Sequence, residues 1–225
     1  MRLASALLAA AAALTATAPA QADPIVVELF TSQGCSSCPP ADALLAELAG
    51  REDVIALSLH VDYWDWIGWA DTFADPAFSA RQQAYAAVAG SSVVYTPQFV
   101  VGGADHVAGA KGMAVAEAVQ ARLAAQPEVL EVEDGTLILS PIDGPARLIL
   151  AEVTPSASVS ILRGENAGRE ITYHHIVRGW TDLGEWDGAA GTLALPAGEG
   201  PRVVLAQRIA AGGRPGAIVG AARLP

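Results

Sequence analysis

The only two cysteines of the chain are three positions apart, in the run Cys35-Ser36-Ser37-Cys38. Two intervening residues let one sulfur reach the other. An accessible thiol of lowered pKa can then attack a substrate disulfide while its neighbour resolves the mixed disulfide. The pair stands between a predicted strand and a predicted helix, where free N–H groups and the helix dipole stabilise a thiolate. Attack is assigned to Cys35, the nearer to the turn, and resolution to Cys38. Two other chemistries compete. A fixed disulfide suits an exported protein, although closing so short a loop takes little entropy from the unfolded chain. A structural zinc site needs about four Cys or His ligands, and no second C-x-x-C completes one. Copper(I), which accepts two thiolates, stays as an alternative.

Pro97 follows Thr96 inside an apolar run, where proline forfeits a ladder hydrogen bond. One reading is a cis peptide bond facing the cysteines, leaving the backbone at Thr96 free to pair with an extended substrate peptide. The other is an edge-strand or bulge proline. Residues 62–75 gather Trp64, Trp66 and Trp69 with four carboxylates. Such a cluster either forms a peptide-binding groove or packs an irregular insertion. His60 reads as a structural residue, a metal ligand or a thiolate stabiliser. His174 and His175 are neighbours on a predicted strand and point to opposite faces, so no metal site is assigned.

These residues must be positioned by their elements. Residues 25–30 and 54–61 are short apolar runs that predict buried strands, and 41–49 between them carries Leu44, Leu45 and Leu48 at helical spacing, with Gly50 as a stop. A strand, helix and strand of this length imply a parallel pair. A helix is predicted at 76–89, an interrupted strand at 93–101, a hairpin partner at 106–108 and a helix at 114–125. Beyond Gln126-Pro127 the period changes to short alternating runs at 129–133, 136–140, 146–153, 159–162, 171–177, 193–195 and 203–208. Residues 163–168 suit an ordinary turn or a binding loop. The expected organisation is a signal peptide at 1–22, an α/β domain at 23–127 with an aromatic-rich insertion at 62–75, and a smaller all-β sandwich or barrel at 128–225.

The amino-terminal assignment rests on Arg2, the apolar stretch 3–14 and the Ala20-Gln21-Ala22 triplet, which together match a cleavable secretory signal with Asp23 as the new amino terminus. The mature protein is therefore expected in the periplasm or outside the cell, without stable membrane insertion. Of the 225 residues 52% are apolar and 16% charged, which excludes a disordered chain, and the net charge of −11 argues against nucleic acid and anionic lipid as partners.

Over residues 24–126 the order strand, C-x-x-C helix, strand, helix, proline-initiated strand, hairpin strand and helix resembles the thioredoxin superfamily. More narrowly, the chain is similar to a family of secreted thioredoxin-like proteins known as a domain of unknown function. The stretches that carry this are Glu28 to Asp42, His60-Val61-Asp62-Tyr63-Trp64-Asp65, Arg81-Gln82, Tyr95-Thr96-Pro97-Gln98 and Arg163-Gly164-Glu165-Asn166. The resemblance implies thiol–disulfide chemistry through Cys35 and Cys38, a cis Pro97, and a buried acid at Glu28 that relays a proton to Cys38. Gly34 and Ser36-Ser37 replace the aromatic residue and Gly-Pro dipeptide of the thioredoxin site. Pro39-Pro40 predicts that the helix begins late, with a weaker dipole at Cys35. The expectation is an exported oxidoreductase acting on protein thiols or disulfides, with no organic cofactor. A non-catalytic binding module with a structural disulfide and a copper(I) carrier are the alternatives.

Overall fold

Aliphatic residues dominate 25–31, and a run without polar alternation forms a strand covered on both faces. In the computed structural model, which describes residues 22–224, this is β1 (Ile25–Thr31), buried along its whole length. The signal-peptide call falls almost wholly on residues outside the described ones. There follow α1 (Pro39–Ala49), β2 (Val54–His60), α2 (Pro76–Val88), β3 (Gln98–Val101), β4 (Asp105–Ala108) and α3 (Gly112–Leu123). β1 pairs in parallel with β2 and antiparallel with β3, which pairs antiparallel with β4. Among the described residues no helix is long and apolar enough to cross a membrane.

The carboxyl-terminal part contributes β5 (Leu130–Glu133), β6 (Thr136–Leu139), β7 (Ala146–Ser160), β8 (Glu170–Trp186), β9 (Gly191–Ala194), β10 (Arg202–Ala210) and β11 (Arg214–Leu224). β5, β6 and β9 form a small sheet of their own, whereas β11, β10, β7 and β8 continue the sheet of the first half in the order β11-β10-β7-β8-β2-β1-β3-β4. The junction is a parallel contact of β2 with β8 at Ser58 and Ile176. The change in sequence character at residue 127 thus marks a change of element type that one sheet spans.

β7 and β8 are single long strands, not the separate runs expected at 146–153, 159–162 and 171–177. Register shifts between Leu148 and Ile149 and between Glu152 and Val153 rephase the alternation, and the outer half of β7 exposes residues on both faces. β11 escaped notice because its Gly- and Ala-rich sequence has little β propensity. Its register comes from pairing with β10.

Alternation along the strands separates the cores. Val26 and Phe30 of β1 face Phe78 and Tyr85 of α2 in a core that runs on to Ile149, Leu205 and Ile218. Ile25, Val27 and Leu29 face Leu45 of α1 and Val115 of α3. Leu130 and Leu137 of the small sheet cover Leu148, Leu150 and Val204.

Asp23 ties the segment before β1 to both later parts. It is buried, and its carboxylate accepts from the backbone N–H groups of Val129, Leu130 and Ala221, each at 3.1 Å. Desolvation nevertheless raises its pKa to about 6. Asp23→Ala leaves three buried donors unpaired, and the expected loss is about 2–4 kcal/mol, read from the midpoint of denaturant unfolding at unchanged slope.

Candidate functional site

The loop 32–38 leaves the carboxyl end of β1, beside the same end of its parallel neighbour β2, where open α/β sheets offer a crevice. Cys35 and Cys38 are joined in a disulfide, and both are buried, at 1% and 0% exposure. The Ser37 hydroxyl lies 3.3 Å from Cys35 Sγ. Cys38 is the N-cap of α1, and Pro39 and Pro40 occupy its first two positions. The late start expected from the prolines is therefore corrected. Proline fits the first turn because the N–H it lacks would have had no partner within the helix. The same prolines leave the head of α1 with fewer donors than a thiolate site at a helix end usually has.

The aromatic-rich segment 62–75 braces this loop and contains only a short 3-10 turn. Gly34 fits closely there, since a Cβ would come 3.2 Å from Trp64 Cβ and Ile67 Cδ1. Trp69 Nε1 donates to Gln33 Oε1 at 2.8 Å, and the Gln33 N–H donates to Asp71 at 2.8 Å. Trp64 Nε1 donates to Thr96 Oγ1 at 2.7 Å, which ties the residue before Pro97 to the aromatic segment that packs on the loop. That peptide is cis. Trp66 stands apart, 83% exposed. Loop 91–97 is held by Gln82, whose amide donates to the Tyr95 carbonyl and to Gln98 Oε1.

Glu28 is not brought to the cysteines. In phase with Val26 and Phe30, it points to the face of the sheet covered by α2, while Cys38 begins α1 on the other. Its two oxygens accept from Arg81 Nε and the Tyr85 hydroxyl, each at 2.6 Å. The proton-relay role expected for Glu28 is corrected on that ground. A different acid lies behind the disulfide. Asp42, one turn along α1 from Cys38, is buried and accepts from Thr31 Oγ1 at 2.8 Å, while its second oxygen has no partner. Beside it, His60 and Asp71 share a buried hydrogen bond of 2.7 Å. The Tyr173 ring packs edge-on against His60. His60 Nε2 and the Tyr173 hydroxyl are also unpartnered. Desolvation, with Asp71 adding to it, raises the Asp42 pKa to about 7 against the opposing pull of His60 and Thr31. Desolvation and the nearby Asp42 and Asp71 push the Tyr173 phenol up as well.

The remaining part of the site comes from the far end of the β7–β8 hairpin. Asn166 Nδ2 donates to the carbonyls of Gln33 and Cys35, both at 2.9 Å and buried. Glu165 Oε2 accepts from Ser36 N at 3.0 Å and Ser36 Oγ at 2.6 Å. Gly164, at φ +79, sits where a Cβ would be 3.3 Å from Trp69 Cβ. A family model described as "Protein of unknown function (DUF1223)" matches residues 26–208. The chain belongs to this family. The matched span takes in every residue of the DUF1223 site, from Thr31 to Tyr173. A crystal structure of a protein from Agrobacterium tumefaciens is 36% identical, with a TM-score of 0.79, and the match covers 90% of this chain and 94% of that one. HBP35 of Porphyromonas gingivalis is similar in fold alone, at 14% identity and a TM-score of 0.59, over 90% of this chain and 75% of that one. No curated protein matches the chain.

Sequence reasoning missed Asp42 and Asp71 as members of the DUF1223 site and read 163–168 as an ordinary turn or a binding loop. Asp42 carried a signal, because it falls on the buried side of α1 four residues after Cys38. Glu165 and Asn166 lie in a stretch that carries the family resemblance, but nothing local marks their partners, which are about 130 positions away.

Asn166→Ala leaves the buried Gln33 carbonyl without its partner and the Cys35 carbonyl with the Cys38 N–H alone, and the expected cost is about 1–3 kcal/mol, measured by thermal or urea unfolding of the oxidised protein. Asp42 gives a pH signature. Its folded pKa, about 7, lies above the ordinary 3.8, so its contribution to stability is complete below about pH 4 and disappears as pH rises to about 7. Asp42→Asn removes this loss. Relative to wild type the variant should gain stability on the order of a few kcal/mol between those limits, as melts across the pH range would show.

Proposed function

We propose that this protein is an exported thiol–disulfide oxidoreductase acting on protein partners, with residues 23–127 forming a thioredoxin-like domain and the β-rich remainder completing its site. One observation carries the reading. The disulfide closes a loop too short to be an efficient staple, yet it stands at the head of a helix with a titratable carboxyl one turn behind it. Thr96, bonded to Trp64 of the segment that packs on this loop, and Pro97 are the backbone we assign to pairing with an extended segment.

In the oxidising direction a substrate thiolate attacks Cys35 Sγ. The bond to Cys38 breaks, and Cys38 leaves as a thiolate that takes up a proton. A second substrate thiol, deprotonated, then attacks the substrate sulfur of the mixed disulfide and expels the Cys35 thiolate. The substrate gains a disulfide, the protein gains two thiols, and both electrons are accounted for. The reverse sequence reduces a substrate disulfide, with Cys38 losing a proton before it attacks Cys35. Asp42 is placed to hold that proton, since Cys38 is sealed from solvent.

The burial of both sulfurs favours a second reading, a partner-binding module with an inert bridge. Equilibrating the mature protein in graded glutathione buffers and trapping free thiols by alkylation separates the two. Exchange predicts a potential between about −270 and −120 mV and accumulation of a mixed disulfide in Cys38→Ser. A value below about −300 mV supports the inert bridge.

A further inference from the structure

We propose that Glu165, carried by the β7–β8 hairpin, sets the acidity of the Cys35 thiol by occupying the donors of Ser36 and placing a negative charge beside the sulfur. The inference rests on the redox reading above and names a residue that the reading does not use.

A thiolate beside a helix start is stabilised by donors and by positive potential. The donor supply here is unusually thin. Pro39 and Pro40 have no N–H, and the next two N–H groups, of Ala41 and Asp42, both turn to the Cys38 carbonyl, at 2.8 and 3.1 Å. The Cys35 N–H is bonded to the Ser32 carbonyl and the Cys38 N–H to the Cys35 carbonyl. The Ser37 hydroxyl, 3.3 Å from Cys35 Sγ, remains as a direct donor to the sulfur. Ser36 would be the natural second source, but its N–H and hydroxyl both donate to one oxygen of Glu165.

This contact is built into the fold. The adjacent Asn166 is buried and fixed to the carbonyls of Gln33 and Cys35, and Gly164 packs closely on Trp69, so the hairpin tip has a defined seat. The two Ser36 bonds hold the Glu165 carboxyl below the usual range, and it stays ionised wherever the thiol titrates. A carboxylate next to a forming thiolate disfavours it. The Cys35 thiol is then less acidic than its place near a helix start suggests. Because the reduced form is denied thiolate stabilisation, the disulfide becomes harder to reduce. Glu165 is solvent-exposed, so salt screens its effect.

The test uses the full mature chain carrying Cys38→Ser, in which Cys35 alone titrates, and follows the rate of alkylation by iodoacetamide against pH. The expected midpoint falls in the order Glu165, Glu165→Gln, Glu165→Lys. Glutamine keeps an acceptor for Ser36 and removes only the charge. At low salt and below the midpoint, Glu165→Gln should react at least about threefold faster, which is half a pKa unit, with the gap closing in 1 M salt, where the Debye length is about 3 Å. Superposed profiles overturn the proposal. So does a uniform acceleration at every pH without a shifted midpoint, because that reports a loosened loop. Failure of the redox reading shows separately, as a wild-type disulfide that glutathione does not open, since alkylation of Cys35 requires no exchange activity.

Discussion

An ion pair buried where four elements meet constrains the whole sheet. Glu28 of β1 and Arg81 of α2 lie within the core, and a charge removed from water is tolerable only when its bonding capacity is filled. Arg81 gives Nε to Glu28, one terminal nitrogen to Gln207 of β10 and the other to the Tyr85 hydroxyl. Tyr85 donates on to Glu28, and Gln207 donates to Tyr85 and to the Gly216 carbonyl of β11. The Arg81 guanidinium also lies over the rings of Tyr85 and Trp180. A partial set of these contacts would leave a charge or a polar atom stranded, so the network is satisfied only when β1, α2, β10 and β11 are all in place. The two halves of the chain are thereby locked in one arrangement, and that arrangement brings the β7–β8 hairpin to the cysteines.

The site is in this sense a product of long-range packing. Its sulfurs come from a local strand–loop–helix unit, its brace from the aromatic-rich segment, and its cover from a hairpin tip on the far side of the sequence. The buried polar atoms of Asp42, His60 and Tyr173 form a layer between α1, β2 and β8 that an ordinary apolar core would not contain. Such groups are retained at a cost in stability, which is the pattern expected where chemistry takes precedence over packing.

What the sequence disclosed follows from how local each feature is. The succession β1, α1, β2 and the position of Cys35-Ser36-Ser37-Cys38 between strand and helix were legible from apolar spacing and from Gly50, because nearest neighbours decide them. The Thr96-Pro97 break was legible for the same reason. The full length of β7 and β8 was hidden by register shifts and by an exposed outer half, and β11 by glycine and alanine. Glu28 was misplaced because strand phase was not weighed: even-numbered positions of β1 face α2, so no choice of rotamer carries its carboxylate to the α1 side. The partners of Asn166 and Glu165 could not be read from local pattern, since a turn-forming Gly-Glu-Asn looks alike whether its side chains meet water or a distant backbone.

The seat of Asn166 also sets an order of events. A ribosome adds roughly 5–20 residues per second, so the cysteines precede the residues that cover them by something like 7 to 26 seconds. During that interval Cys35 and Cys38 belong to an unfinished chain without its carboxyl-terminal cover, open to whatever oxidants and thiols surround it. The finished protein therefore encloses a sulfur pair that its unfinished chain left uncovered.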